Sequence, residues 1–375
     1  MAAAIGAHQA GVKSVLVIDR LPYLGGILPQ CSHEGFGMRL LGRELTGIEY
    51  SQWLVDRFNR LKIPTLLSSS VLSISKQRCI ALNTPTGRRQ IQAKAIILAS
   101  GCRERTLASL PNISGTRPAG VLTAGSAQKM VNIAHWELGE KIVILGSGDV
   151  GMIMARQFVL QGKQVLAVLE QADKLGGLKR NKQRCLDAHN IPLITNATVS
   201  ELHGTGRLTG ISIVSKGDKS GQGNSPSTVP TLVAEPTLVH NHPPASPFGS
   251  PTIPAFIAGS IASEVGPAIN AGTELLSAGA ASTDPGSYFI PCDTLVTSIG
   301  LVPELELLHG LQNTLDADKS IAPNSDFLGN QKINIPWLFL AGNAKEVQAF
   351  VDNVVDDGNL TGTTAARYLK TLKKR

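Results

Sequence analysis

The feature that most constrains this chain is an internal repeat. Residues 10–26 read AGVKSVLVIDRLPYLGG and residues 161–177 read QGKQVLAVLEQADKLGG. Superposed at a constant separation of 151 residues, Gly11 meets Gly162, Asp19 meets Glu170, and Gly25-Gly26 meets Gly176-Gly177. Each copy reads as a helix end, a Gly turn, a short apolar strand, an acidic residue and a Gly-Gly turn. We read two copies of one βαβ unit, which calls for an α/β fold with two sheets of the doubly wound kind.

The second copy is complete. Lys141 to Leu145 (KIVIL) is a strand-type apolar run, and Gly146-Ser147-Gly148-Asp149-Val150-Gly151 follows it. An apolar helix pattern covers Met152 to Gln161, a second strand covers Val165 to Leu169, and Glu170 closes the unit. Strand, G-x-G-x-x-G, helix, strand, acid is the order a dinucleotide site needs. Gly146 permits the tight turn, Gly148 lets a pyrophosphate approach the backbone, and Gly151 allows close helix–strand packing. The helix N-terminus then offers unpaired N–H groups and a partial positive charge. Glu170 is placed to accept both ribose hydroxyls and disfavours a 2′-phosphate, so NAD is expected over NADP. The alternative is a purely structural Gly turn.

The first copy lacks its front. At the same separation Met1 pairs with Met152, so the counterparts of Lys141–Gly151 would lie ahead of Met1. Met1 to Gly6 reads as the continuation of a Rossmann helix. The expectation is an N-terminally truncated unit, without its first strand and Gly loop.

Along the rest of the chain, Ser51 to Leu61 reads as a helix ended by Pro64. Thr65 to Ser75 and Gln77 to Leu82 read as strands, Gly87 as a hairpin, and Ala95 to Ala99 as a buried strand running into Ser100-Gly101. Pro111 to Gly120 reads as a crossover and Val121 to Leu138 as mostly helix. Residues 216–286 hold 10 of the 21 prolines and seven charged residues, with neither helical nor strand period; this reads as a low-complexity insertion, with a contact loop as its alternative. His240 and His242 lie in it without a metal-ligand set. Thr294 to Ile299 and Trp337 to Leu340 read as strands, and about Val351 to Lys370 as a final helix.

At 375 residues and 42% hydrophobic, the chain can bury a sizeable core, and two domains are expected, three at most. The net charge of +7 comes from scattered residues without a nucleic-acid motif, so no nucleic-acid partner is expected. No apolar run reaches spanning length, so no transmembrane segment is expected. Cys31, Cys79, Cys102, Cys185 and Cys292 form neither a CxxC pair nor a metal spacing. That points to a reducing, cytoplasmic setting without disulfide-reductase chemistry or a metal.

Together these motifs resemble the two-dinucleotide-binding-domain flavoproteins, the pyridine-nucleotide-disulfide oxidoreductase-like group. Within it, the run Leu24 to Gly37, Glu44 to Gly47, Gly101-Cys-Arg-Glu-Arg105, Gly115 to Gly120 and Gly146 to Gly151 resemble the FAD/NAD-dependent subunits of glycerol-3-phosphate dehydrogenase-associated, opine oxidase, hydrogen cyanide synthase and sarcosine oxidase type. The resemblance implies two Rossmann-like domains, the NAD domain inserted in a discontinuous FAD domain. The expected division is 1–117 (FAD, first part), 118–303 (NAD(P), carrying the 216–286 insertion) and 304–375 (FAD, second part).

It further implies roles residue by residue. Asp19 would accept the FAD ribose hydroxyls, Gly25 and Gly26 would pass close to FAD, and Val71 would contact adenine through its backbone. Ser100-Gly101 would close over the cofactor. Gly342-Asn343 would bind the ribityl chain and pyrophosphate, and Val351-Asp352 would set the last helix against the flavin. Gly300 would lie near the nicotinamide. Cys31 and His33, just after the Gly-Gly turn, are the candidate catalytic residues, with a packing role as the alternative. Arg103-Glu104-Arg105 reads as a solvated ion-pair turn or an anion contact. The implied activity is hydride transfer between NAD(H) and FAD within a multi-component dehydrogenase or oxidase. Oligomers and a partner dehydrogenase subunit are possible on this resemblance. The alternative is a non-catalytic nucleotide-binding partner that has lost FAD.

Overall fold

The computed structural model describes residues 1–215, 287–314 and 335–372. The insertion 216–286, with His240 and His242, lies outside the described residues.

The first lobe begins with α1 (Ala2–Gln9) and β1 (Val17–Ile18), followed by α2 (Gly47–Asn59) and β2 (Thr65–Leu66). An antiparallel meander, β3 (Ser70–Ile74), β4 (Cys79–Thr84) and β5 (Gly87–Gln92), leads to β6 (Ile96–Leu98). Helix α2 starts at Gly47, ahead of the expected Ser51, because Thr46 and Glu49 form a capping box: Glu49 N donates to Thr46 Oγ1 at 3.2 Å and Thr46 N to Glu49 Oε2 at 2.8 Å.

The second lobe holds β7 (Val121–Thr123), α3 (Ala124–Asn132), β8 (Lys141–Leu145), α4 (Asp149–Leu160), β9 (Gln164–Leu169), α5 (Lys179–Cys185) and β10 (Leu193–Ile194). Next come β11 (Ala197–His203), β12 (Gly210–Ser215), β13 (Ser287–Ile290) and β14 (Thr294–Thr297). The chain returns to the first lobe with β15 (Leu338–Leu340) and α6 (Val351–Leu372). Val121–Thr123 was expected as helix. It is a strand, because its backbone pairs in parallel with Leu295–Thr297, and Thr123 then caps α3 by accepting from Ser126 N.

The second lobe's parallel sheet has the order β7-β14-β8-β9-β10. Strand β8 is central, and its residues alternate between two cores. Ile142 and Ile144 face the α3–α4 side with Met152, Met154 and Phe158. Val143 and Leu145 face the other layer with Leu202, Ile211 and Ile213. Burial on both faces is why the run reads KIVIL without polar alternation.

The first lobe repeats this plan. Strand β1 pairs in parallel with β2, and β6 in parallel with β15. The repeat matches β1 to β9; β2 stands beside β1 as β10 stands beside β9, and β6, running into Ser100-Gly101, stands as β14 does before Ser298. In the second lobe β8 lies between β9 and β14. In the first lobe, β1 and β6 have one strand neighbour each among the described residues, and both border one large cavity.

Helix α1 packs on α6 at very short range. A Cβ at Gly362 would fall 2.7 Å from Ala7 N, and one at Gly6 would fall 2.9 Å from the Asn359 Cα. Glycine at these positions is therefore a matter of backbone approach rather than of turn geometry. Ala3, Ala4, Ile5 and Ala7 are buried at this crossing.

Candidate functional site

The cavity between the lobes measures about 2790 Å³. Its wall gathers Asp19, Gly26, Cys31, His33, Val71, Ser100, Gly101, Asn343 and Val351 from the expected site residues. These are far apart in sequence and meet because β1, the segment from Gly25 to Thr46, the β3 meander, the end of β6 and the start of α6 all face one space.

Gly146, Gly148, Gly151 and Glu170 form a second locus around the N-terminus of α4. Gly146 has φ +104°, and a Cβ there would collide with the Ser298 carbonyl. A Cβ on Gly151 would fall 2.6 Å from Gly146 O and 2.8 Å from Ser298 Cβ, while Gly151 N donates to Ser298 Oγ at 3.1 Å. The loop thus lies tight against the strand end that follows β14. Asp149, Val150 and Ile153 on the first turns of α4 reach the large cavity.

Asp19 and Glu170 occupy matching backbone positions. Asp19 N donates to Leu66 O at 2.9 Å, and Ser69 N donates back to Asp19 O at 2.9 Å. Glu170 N donates to Ile194 O at 2.8 Å, and Ala197 N donates back to Glu170 O at 2.9 Å. Each carboxylate also accepts from the N–H two residues on: Leu21 N to Asp19 Oδ1 at 3.0 Å, and Ala172 N to Glu170 Oε1 at 3.0 Å. The surroundings then diverge. Glu170 Oε2 accepts from Ser147 N at 2.9 Å and from Ser147 Oγ at 2.6 Å, tying the acid to the Gly loop. Burial pushes the Glu170 carboxyl up, but the N–H groups of Ala172 and Ser147 and the Ser147 hydroxyl outweigh it and hold the group below the usual carboxylate value. Asp19 opens onto the cavity. The Gly-Gly turns differ as well: Gly25 and Gly26 have φ +117° and +60°, while Gly176 and Gly177 are not in the positive region.

Four expected contacts lie away from the cavity wall and have partners within the chain. Gly25 fits under Ser51 and Pro29. Gly300 O accepts from Arg105 N at 2.9 Å. Gly342 N donates to Asp357 Oδ2 at 2.7 Å, and Lys345 Nζ meets the other oxygen at 2.7 Å, so Asp357 pins the turn before α6. Asp352 is 4% exposed, and its Oδ2 accepts from Arg39 N at 3.0 Å and Leu40 N at 3.3 Å. It ties the helical turn Met38–Leu41 to α6, a link with no signal in the sequence. Arg103 pairs with Glu306, but from the strand Cys102–Glu104, paired antiparallel with Leu301–Pro303, rather than from a turn; Glu104 Oε1 accepts from Gly125 N at 2.8 Å and joins the lobes.

Cys31 is buried, and burial pushes its thiol up to about 12. The thiol therefore stays protonated at neutral pH. Burial, reinforced by the Arg156 charge, holds His33 below its usual value; its Nδ1 is buried without a hydrogen-bond partner, and its ring lies 5.1 Å from that of Phe36. Cys185 and Cys292 are buried, while Cys79 and Cys102 are half-buried: Cys79 stands on the open meander and Cys102 takes Asn343 Nδ2 at 3.7 Å. Sequence reading missed Gln30 and Gln128, which flank Cys31 on the cavity wall. The signal was present: α3 buries Ala124, Ala127, Gln128 and Val131, so Gln128 is a polar residue inside an i, i+3, i+4, i+7 buried stripe.

The wall fits an FAD-like group on two observations. Gly26 (φ +60°) and Gly101 (φ +79°) each have open space within 4 Å of where a Cβ would stand, and both face the cavity beside Asp19. Among the described residues no group of His, Cys, Asp and Glu is arranged to hold a metal, and no helix is long and apolar enough to cross a membrane.

Comparison with known proteins agrees with this arrangement. An opine oxidase subunit from Rhizobium meliloti is 30% identical over 182 residues, covering 46% of this chain and 33% of that protein. A ferredoxin–NADP reductase from Streptococcus pneumoniae (strain CGSP14) is 27% identical over 206 residues, covering 55% of this chain and 60% of that one. The chain thus spans a third to three-fifths of the length of these relatives. Among solved structures, T. acidophilum thioredoxin reductase superposes with a TM-score of 0.60 at 18% identity, covering 100% of this chain and 95% of the other; that likeness concerns the fold, two Rossmann-like lobes. The family described as pyridine nucleotide-disulphide oxidoreductase matches residues 1–224. On that match, and on the two-lobed α/β architecture around the interlobe cavity, the chain belongs to the pyridine nucleotide-disulphide oxidoreductase family, whose members use FAD and NAD(P)H.

Proposed function

We propose that this chain is an FAD-dependent oxidoreductase that exchanges electrons with NAD(H), as one subunit of a multi-component dehydrogenase or oxidase. The observation that carries the reading is the matched pair Asp19 and Glu170, held by corresponding backbone hydrogen bonds at the ends of β1 and β9. When bound, the two cofactors supply the reaction itself, hydride passing between nicotinamide C4 and flavin N5.

The chain's own residues bind and orient. Asp19 accepts ribose hydroxyls on the FAD side, with Gly26, Val71, Ser100 and Gly101 lining the approach. Asn343 and the start of α6 at Val351 face the same space. On the other side, Gly146, Gly148 and Gly151 bring a pyrophosphate to the N-terminus of α4, and Glu170 selects NAD over NADP by charge. Cys31, protonated, and His33, neutral near pH 7, form an uncharged wall rather than a nucleophilic pair.

The reading assigns 1–117 and 304–375 to an FAD domain and 118–303 to an NAD(P) domain. A multi-component setting draws on the opine oxidase relative, which is itself one part of a larger enzyme by name. A cytoplasmic setting draws on the five free cysteines.

The test is direct. Purified protein, dialysed with FAD, should hold a visible flavin band, which NADH bleaches anaerobically. A chain that takes up NADH but never FAD would favour the other reading, a nucleotide-binding partner without redox chemistry of its own. That reading has one observation on its side: among the described residues, β1 and β6 each have a single strand neighbour beside the cavity.

A further inference from the structure

Gln128 is placed against the interest of folding. It is 2% exposed, and its Nε2 has no hydrogen-bond partner. Its Oε1 accepts from Gln30 Nε2 at 3.2 Å and lies 3.6 Å from Cys31 Sγ. The amide cannot be turned round: Gln30 Nε2 is a donor, since it also reaches Gly125 O at 3.0 Å, and a flip would set two N–H2 groups face to face. Each neighbour also has another partner. Gln30 keeps the Gly125 carbonyl, and Cys31 Sγ keeps the Ile27 carbonyl at 3.6 Å. So the acceptor end of Gln128 is satisfied, while its donor end is buried and unsatisfied, which weakens a fold. Gln30, Cys31, His33 and Gln128 all line the interlobe cavity.

We infer that Gln128 is a ligand-binding residue: its fixed Nε2 donates to a ring carbonyl oxygen of the isoalloxazine when FAD fills the cavity. The assignment rests on the FAD reading above. Gln30 and Cys31 hold the amide carbonyl, so the N–H2 direction is set before the ligand arrives and little side-chain freedom is lost on binding. Fixed donors of this kind belong at sites rather than in cores. A protonated thiol beside it suits this role, because a thiolate would repel the same oxygen.

The experiment compares the wild-type chain with Gln128→Met, with Gln128→Leu as a second apolar replacement. Three quantities are read: the melting temperature without ligand, the FAD dissociation constant, and the ADP dissociation constant. Losing one buried donor–acceptor bond should weaken FAD about 10-fold, equivalent to about 1.4 kcal/mol. ADP, which lacks the ring, should bind all three proteins alike. Without ligand, the variants should melt higher by about 2–4 °C, because an unsatisfied buried group has gone. A lower melting temperature in both variants, unchanged FAD affinity, or FAD and ADP weakened equally would each overturn the inference. If the wild type binds no FAD, the cofactor reading itself fails and takes the ring assignment with it. If the wild type binds FAD and both variants match it, only the role of Gln128 fails.

Discussion

Replacing Glu170 by Ala tests the tie between the acid and the Gly loop. The carboxylate accepts three hydrogen bonds, from Ser147 N at 2.9 Å, Ser147 Oγ at 2.6 Å and Ala172 N at 3.0 Å. Ser147 is 0% exposed, so truncation strands a buried N–H, which costs about 1–3 kcal/mol. Ser147 Oγ still accepts from Gly176 N at 2.8 Å, and Glu170 itself is half-buried, so the other two bonds add little. The expected loss is about 2–3 kcal/mol at pH 7. At roughly 2–4 °C per kcal/mol for a domain of this size, the melt should fall by about 4–12 °C. Glu170→Gln, which keeps an acceptor oxygen, should lose about half as much. The pH dependence has a definite sign. The folded-state value lies below the ordinary 4.5, so the stabilisation is present in full above about pH 4.5 and is lost as pH falls through the folded value. Melts followed by circular dichroism at several pH values, wild type against Glu170→Ala, should show a constant gap near neutrality that narrows in acid, because the protonated carboxyl keeps an acceptor oxygen but loses its charge. A gap under about 1 °C at pH 7, or one that widens as pH falls, would refute the reasoning.

Asp19→Asn should weaken FAD by about 10-fold through loss of the charged acceptor, with little effect on NADH; isothermal titration of both cofactors decides it. Gly362→Val should push α1 off α6 and destabilise by more than about 3 kcal/mol, read in urea unfolding, because a Cβ there already overlaps the α1 backbone. His33 and His189 are both held below the usual value by burial, then by Arg156, so they oppose folding only when forced to charge. Stability should therefore fall as pH drops from about 6.5 through their folded values, and His33→Gln should flatten that slope. In the native state, a thiol reagent near pH 8 should label Cys79 and Cys102 well before Cys31 and Cys292, since burial pushes both of the latter up to about 12; mass mapping of the labelled peptides tests this.

Much of the fold is legible in the sequence because its strands are buried on both faces. KIVIL and its neighbours carry an unbroken apolar signal, and the 151-residue repeat puts Asp19 and Glu170 in register. What escaped depended on pairings at long range. Val121–Thr123 is a strand only because Leu295–Thr297 lies beside it. Asp352 looks like a free acid at a helix start, yet residues 39 and 40 take its carboxylate. The early start of α2 was readable from Thr46-x-x-Glu49, and reading the apolar run alone hid it. Gln128 was hidden by the opposite error: one polar residue in an apolar stripe is easily taken for tolerance, whereas here it marks a wall of the cavity.

The glycine-faced crossing of α1 and α6 joins stretches about 350 residues apart in sequence. During synthesis at about 5–20 residues per second, the alanine face of Ala3–Ala7 must wait tens of seconds before its partner leaves the ribosome. The second lobe has its whole parallel sheet within 121–297 and can settle in that interval. The first lobe closes last, so a ribosome that stalls before residue 351 would release a chain with one ripe half and one sticky helix, a natural client for a chaperone.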